Sequence, residues 1–335
     1  PGGRILSGAG AETEKTFFNC VSGDTLIHTE NGLRPAASLR GTVSTLTSDG
    51  TFRDAAWSSY GTQRLYSVML SNGDQIDATE GHEWIVPNDD GGRDTVSTLE
   101  LTGRSIPMQA VMGLALSRDD ETFREGVRHG LAYGDGNIVK GKSVDLPQFG
   151  DSKHLLHDFF DDVRYQPSRD ADVVHGLPLY YKALPVSEDR RYLRGFIAGL
   201  VAADGHIDKR GSVMIHQAGL DKARAIALVA ANAGLPVASV RKVRDINPWT
   251  GLAGTPLYRI QFFSSQMPWY MSLKGLHRER LDRARRKFKA ATVKVIAVLD
   301  TGRDEEVFCC NEPATNTMVI GAGYVTKQCY VIPVE

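Results

Sequence analysis

Four cysteines sit near the two ends of a 335-residue chain: Cys20, Cys309, Cys310 and Cys329. A cysteine is a nucleophile through its thiolate, a minority species near neutral pH because a free thiol has a pKa of about 8.5. Four are too few for a disulfide scaffold at this length, and no pair has the CxxC spacing of a zinc site. Any one alone reads as a buried or incidental thiol. Their placement at both ends is what points to chemistry. Far from them, an Asp-Gly pair recurs in matching context, in RHGLAYGDGNI (128–138) and IAGLVAADGHI (197–207). Each copy closes a helical run with small residues, then Asp-Gly, then an apolar residue opening a strand. This is an internal repeat, and its carboxylates are Asp135 and Asp204.

The elements that must position these groups follow from periodicity. TLIHTE, TVSTLTS, RLYSVML, QIDATE and HEWIVP read as short strands, broken by ENG, SDG and SNGD turns. From about 113 the pattern turns helical, in ETFREGVRHGLAYG, KHLLHDFFDDV, RRYLRGFIAGLVAA and LDKARAIALVAANAG. After 291 strands return, in TVKVIAVLD, EEVFCC, NTMVIGAG and YVTKQCYVI. Helical material is thus expected inside a β unit. Apolar residues make up 41% and charged residues 24%, with a net charge of −1. Those figures fit an ordinary globular chain of two or three domains, so any nucleic-acid contact must rest on local basic clusters. No apolar run reaches membrane-spanning length and no secretory leader is read at the start, so a cytoplasmic protein without membrane partners is expected.

CVSGDTLIHTENGLRPAASL, opening at Cys20, resembles the first segment of the Hedgehog/intein family. GDQIDATEGHEWIV resembles its second segment, with Thr79 and His82 in the Thr-x-x-His positions. VFCCNEPATNTMVIGAGYVTKQC resembles the closing pair of segments, ending on Gln328 before Cys329. The resemblance implies protein splicing. Cys20 attacks the Asn19 carbonyl to form a thioester, with His82 moving protons and Thr79 and backbone amides steadying the oxyanion. Cys329 takes over the acyl group, and Gln328 cyclises through its side-chain amide. No cofactor is needed. Cys309 stands where many inteins carry an assisting Asp and reads as an assisting or structural thiol; Cys310 reads as core. Three departures bear on the downstream cut. Gln328 replaces the usual Asn, and a six-membered imide closes less readily than a five-membered one. Lys327 replaces the usual His, and Thr317 replaces the His of the preceding segment. His28, or a water held by Thr317, is the substitute considered for moving protons there.

GLVAADG (199–205) resembles the LAGLIDADG motif of homing endonucleases, and GLAYGDG (130–136) resembles its partner. The resemblance implies two motif helices packed side by side through small residues, with Asp135 and Asp204 converging on Mg²⁺. YYKALP (180–185) resembles the Lys-x-x-Pro segment of such enzymes, making Lys182 a candidate for steadying water or phosphate. Double-stranded DNA at the intein-less host gene is the implied partner. Arg241, Lys242 and Arg244 are candidate contacts, as are Arg278, Arg283, Arg285, Arg286 and Lys287 in KGLHRERLDRARRKFK. Only 69 positions separate Asp204 from Asp135 (204 − 135), so a trimmed first half is expected.

The fold class expected is multi-domain: an all-β Hedgehog/intein splicing domain interrupted by an α+β LAGLIDADG domain. Its parts are 1–19 as N-extein fragment, 20–112 and 291–328 as splicing domain, 113–290 as endonuclease and 329–335 as C-extein fragment. Joined, the flanks read PGGRILSGAGAETEKTFFN-CYVIPVE, which resembles ribonucleotide reductase of the cobalamin-dependent type. The host extein is then the partner in cis, and the chain a monomer. The alternative is a splicing-only element with a degenerate, DNA-binding endonuclease domain. A stand-alone nuclease or a cleavage-only Hedgehog-like domain would not need Cys329 at its junction.

Overall fold

Period-two burial and turn glycines shape the first hundred residues into strands. The computed structural model describes residues 19–88, 90–112, 117–185, 189–246, 253–284 and 291–329. The first group is β1 (Val21–Ser22), β2 (Leu26–Thr29), β3 (Gly32–Pro35), β4 (Gly41–Leu46), β5 (Phe52–Leu70), β6 (Gln75–Thr79), β7 (Glu83–Pro87), β8 (Arg93–Ser97) and β9 (Ser105–Pro107). Then come α1 (Glu121–Asp135), β10 (Asn137–Val139), β11 (Ser143–Phe149), α2 (His154–Phe159), β12 (Arg164–Gln166) and β13 (Ala171–Leu177). They are followed by α3 (Arg190–Ala203), β14 (Gly205–Ile207), β15 (Val213–Ala218), α4 (Leu220–Asn232), β16 (Val237–Ile246), β17 (Ala253–Phe262) and α5 (Gly275–Ala284). β18 (Thr292–Asn311), β19 (Thr317–Ile320) and β20 (Tyr324–Lys327) close the chain.

One twelve-stranded sheet draws on both ends of the chain, in the order β8-β7-β20-β19-β2-β4-β5-β6-β1-β18-β9, with β3 paired to β2. β5 also pairs with β18, so β5, β6, β1 and β18 close a ring of pairings. Its core holds Trp57, Trp84, Leu65, Val307, Phe308 and the four cysteines. Each buried indole N–H finds a threonine hydroxyl, Trp57 on Thr45 at 3.0 Å and Trp84 on Thr98 at 3.1 Å, which removes the cost of burying a donor.

The middle of the chain is built twice. α1-β10-β11-α2-β12-β13 and α3-β14-β15-α4-β16-β17 have the same element order. Their four-stranded sheets are ordered alike, β10-β11-β13-β12 and β14-β15-β17-β16. The repeat read from two short segments therefore extends over whole halves. The first half is the smaller: α2 has 6 residues against 13 in α4, and β12 has 3 against 10 in β16.

α1 and α3 pack directly together because glycines face each other. A Cβ at Gly126 would overlap the Tyr192 carbonyl, one at Gly130 the Phe196 carbonyl, and one at Gly195 the Phe123 carbonyl. Aspartates cap both helices: Asp120 accepts from the Phe123 amide at 3.0 Å and Asp189 from the Arg191 amide at 2.8 Å. The α3 segment 190–203 matches the sequence reading residue for residue, and α1 extends the expected helix by one residue, Asp135.

Three segments differ from expectation. The helix expected over 153–163 stops at Phe159, because Phe160 turns extended and puts its ring in the core. The expected segments 292–300 and 305–310 are one strand, β18. The exposed charges between them hid it; Arg64 of β5 pairs there with Asp300 at 3.1 Å and Asp304 at 3.4 Å. β5 likewise begins at Phe52, not at Arg64.

α3 also reaches the long sheet. Arg190 donates to the Thr29 and Glu30 carbonyls and lies 4.8 Å from the Phe52 ring. One turn on, buried Arg194 donates to the Ala233 carbonyl at 2.9 Å, the Val111 carbonyl at 2.8 Å and the Tyr270 hydroxyl at 2.5 Å. Burial lowers the Arg190 guanidinium to about 10. Among the described residues no helix is long and apolar enough to cross a membrane.

Candidate functional site

Residues from far apart in the chain meet beside β1 and β18. Cys20 precedes β1 and Cys329 follows β20. The two sulfurs lie 4.0 Å apart, both buried. Cys309 on β18 completes the group, accepting the Cys329 backbone N–H at 3.0 Å. The three thiols share their protons unequally. Hydrogen bonds from Cys20 and Cys309 lower the Cys329 thiol against burial. At Cys20 the Cys309 bond lowers, but the Cys329 bond, burial and the Cys329 charge outweigh it and push the thiol up. Burial holds Cys309 and Cys310 up.

Thr79 ends β6 and grips Cys20 on both sides. Its backbone N–H donates to the Cys20 carbonyl at 3.0 Å, and its hydroxyl accepts from the Cys20 N–H at 3.4 Å. That N–H belongs to the Asn19–Cys20 peptide, so the bonds shown place Thr79 on its nitrogen side.

His82 is fully buried in the turn between β6 and β7. Its Nε2 lies 2.5 Å from the Thr326 hydroxyl, and that hydroxyl donates onward to the Glu83 carbonyl at 3.0 Å. The Thr326 oxygen therefore accepts, and Nε2 carries the hydrogen. Nδ1 has no close partner and keeps its lone pair. Burial lowers the imidazole to about 3, and the backbone of Asn19 and Cys20 partly offsets that. The ring is neutral at physiological pH.

Next to Cys329 the Gln328 amide is clamped. Its Nε2 donates to the Glu312 carbonyl, and its Oε1 accepts from the Cys310 thiol at 3.1 Å. Its backbone carbonyl accepts from the Asn19 side chain at 2.7 Å. Neither proton-moving substitute considered from sequence is placed here by its bonds. His28 Nε2 is on the Gly321 carbonyl at 2.9 Å, and Thr317 is engaged by the Ser48 N–H at 2.9 Å and the Thr315 hydroxyl at 2.8 Å. Lys327 closes β20 opposite Thr317.

Two residues here were missed in the sequence. Tyr60 hydrogen-bonds the Cys329 thiol, an interaction that lowers Cys329; burial, with the neighbouring cysteines, pushes the Tyr60 hydroxyl up. Glu312 holds the Gln328 amide through its backbone. Neither has a spacing signal: Tyr60 acts from β5, far from Cys329 in sequence, and Glu312 acts through a backbone carbonyl, which carries no residue type.

The repeated half-units bring Asp135 and Asp204 together where α1 and α3 end. A Cβ at Gly134, next to Asp135, would lie 3.2 Å from the Asp204 carboxylate. Burial, then the Asp135 charge, raises Asp204. Gln148 on β11 donates to Asp135 at 2.7 Å. Lys182 donates to the Ala132 carbonyl at 3.1 Å and the Tyr133 carbonyl, capping α1. Burial lowers its ammonium, and the charges of Asp204 and Asp135 oppose that. Two neighbouring carboxylates, Asp135 partly buried and Asp204 open to solvent, are a donor set suited to a hard divalent cation, whose charge would relieve their repulsion.

The second half-sheet carries a basic row. Arg241 of β16 lies directly opposite Arg259 of β17, and Arg259 opposite His216 of β15. Like charges in register are unfavourable by themselves. Burial, then Arg259 and Arg244, lowers His216. Arg259 and His216 were not singled out in the sequence. Lys242 is exposed and pairs with Asp245 at 3.1 Å, Arg278 lies 4.9 Å from the Trp269 ring, and Arg283 pairs with Glu279. Arg285, Arg286 and Lys287 lie outside the described residues, as do 1–18 and 330–335 of the flanks.

No protein-family model matches the chain. The ribonucleoside-diphosphate reductase large subunit of Invertebrate iridescent virus 6 is 26% identical over 345 residues, covering 92% of this chain. That match covers 36% of the viral protein, so the chain spans little more than a third of that relative's length. Among solved structures, I-DmoI in complex with DNA and Mn is 16% identical, covering 42% of this chain and 89% of its own, at a TM-score of 0.29. The G-1F mutant of the Ssp DnaB mini-intein variant M86 is 9% identical, covering 93% of this chain and 99% of its own, at 0.30.

Proposed function

We propose that the chain is a self-splicing element carrying a DNA endonuclease site, inserted in a ribonucleotide reductase large subunit. The observation that carries the splicing reading is the burial of both junctions in one site, with the Cys20 and Cys329 sulfurs 4.0 Å apart. The sheet pairing brings these regions together, and the thiol-to-thiol distance is what splicing would require.

The residues support the following sequence. Cys20 Sγ bonds to the Asn19 carbonyl carbon, the carbon–nitrogen bond breaks, and the Cys20 nitrogen gains the proton the thiol loses. Neutral His82, whose Nδ1 keeps its lone pair and whose imidazole is influenced by the Asn19 and Cys20 backbone, relays the proton. Cys329 Sγ then displaces Cys20 Sγ from the acyl carbon; the latter leaves as thiol. Gln328 Nε2 bonds to its own carbonyl carbon and releases Cys329, and an S-to-N shift makes the peptide Asn19–Cys329. Cys309 contacts the Cys329 nitrogen that must gain a proton. The likeness to a viral reductase subunit over most of the chain supports the host assignment.

For the endonuclease, Asp135 and Asp204 would hold Mg²⁺, which when bound would orient water and stabilise charge on a cleaved phosphodiester. Gln148 fixes the Asp135 carboxylate and Lys182 supplies a nearby cation. The basic row supplies phosphate contacts. A splicing-only reading with a non-cutting DNA-binding half is favoured by one observation, the reduced first half-unit.

Intact-mass spectrometry of the chain over time, with and without dithiothreitol, tests the first reading. Species of residues 20–328 and of a joined 26-residue peptide (19 + 7) are expected. A mass that never changes, with no hydroxylamine-sensitive thioester, would exclude splicing by this chain. Cleavage of a duplex carrying the uninterrupted host-gene site, with and without Mg²⁺, separates the two endonuclease readings.

A further inference from the structure

The carbonyl broken at the downstream junction has its hydrogen-bond donor in the upstream flank. Asn19 Nδ2 lies 2.7 Å from the Gln328 carbonyl oxygen, and both residues are 0% exposed. The orientation of that amide is fixed. The Glu83 backbone N–H donates at 2.9 Å to the other side-chain atom of Asn19, which must therefore be oxygen. Nδ2 also reaches the Glu83 carboxylate at 3.3 Å, which polarises its N–H bonds further.

We propose that Asn19 activates the Gln328 carbonyl for cleavage, so that a residue outside the excised element serves its second cut. This rests on the splicing reading. When Gln328 Nε2 bonds to its own carbonyl carbon, it loses one proton. The bond to the Cys329 nitrogen breaks and that nitrogen gains one. Between those events negative charge develops on the carbonyl oxygen, the atom Asn19 touches. Transfer of the acyl group over the 4.0 Å between sulfurs leaves Asn19 beside the same carbonyl. Lys327 stands where the resemblance expects a histidine, and the amide of Asn19 provides a donor at that junction. The insert would then depend on the identity of one host residue, which makes Asn19 a specificity determinant for the insertion site.

The test uses the full chain with Cys20→Ala, which forms no thioester, so release of residues 329–335 reports only the downstream cut. Asn19→Asp keeps the acceptor for Glu83 but loses the donor; Asn19→Ala loses both. Removing one preorganised donor from a developing oxyanion costs about 10²–10³-fold in rate, and both variants are expected to slow release to that extent. In chains retaining Cys20, dithiothreitol-triggered release of residues 1–19 is expected to slow far less than the downstream cut. Downstream release at the unaltered rate in both variants overturns the proposal. So does equal slowing at both junctions, which would make Asn19 a packing residue. If the unaltered chain releases neither flank, the splicing reading itself falls.

Discussion

The Thr326 hydroxyl fixes the tautomer of His82. It spends its own hydrogen on the Glu83 carbonyl, so the imidazole donates from Nε2 and Nδ1 keeps its lone pair. Thr326→Val leaves that Nε2–H buried without an acceptor. Such a loss costs about 1–3 kcal/mol of stability, readable as a lower Tm, and is expected to slow upstream thioester formation in the same variant.

The same burial sets a pH dependence. His82 and His28 are each lowered from 6.5 to about 3, chiefly by burial. A group with a lower folded than unfolded value binds fewer protons when folded, so stability rises with pH through the interval and is full above it. Tm of a splicing-blocked Cys20→Ala chain is expected to be flat above about 6.5 and to fall as pH drops toward 3. His82→Gln should flatten part of that fall.

Tyr60 bonds the Cys329 thiol in the form that favours its ionisation. Tyr60→Phe removes that bond and raises the thiol. Transfer of the acyl group to Cys329 is expected to slow several-fold at pH 7, by the order of one charge-assisted hydrogen bond, and to recover at pH 9. A pH-independent deficit would assign Tyr60 to packing instead.

Under the proposed reading Gln328 would cyclise through a six-membered ring. Gln328→Asn is expected to speed the downstream cut, even though the shorter amide gives up its contacts with Cys310 and Glu312. An unchanged or slower release of 329–335 would show that the clamp matters more than ring size.

Gly130 faces the Phe196 carbonyl across the α1–α3 contact. Gly130→Ala gains helix propensity yet drives a methyl into backbone, and overpacking of this kind costs about 1–3 kcal/mol. The expected result is lost DNA cleavage and a lower Tm for the middle of the chain.

The sequence shows chemistry best where it is local. α3 and its Asp204 were legible because small residues, a helical period and Asp-Gly fall in one window. Cys20, Thr79, His82 and Cys329 were legible as types, and the structure brings them together. Tyr60, Arg259 and the donor role of Asn19 were not, because each depends on which strands pair. Arg259 shows this plainly: only the register of β17 against β16 and β15 sets it between Arg241 and His216. β18 was divided because cross-strand ion pairs, rather than apolar alternation, carry its middle.

Arg190 belongs to the helix that ends at Asp204, yet its guanidinium satisfies the Thr29 and Glu30 carbonyls of the long sheet and packs on Phe52. A deletion that removed the middle of the chain would strip those carbonyls of their donor in a half-buried turn. Under the proposed reading the splicing site and the endonuclease site thus share a brace. Substitution of Asp135 and Asp204 would leave Arg190 in place, whereas loss of α3 would take a donor from the sheet that carries Cys20. Selection for splicing alone would then preserve that helix after DNA cleavage was lost.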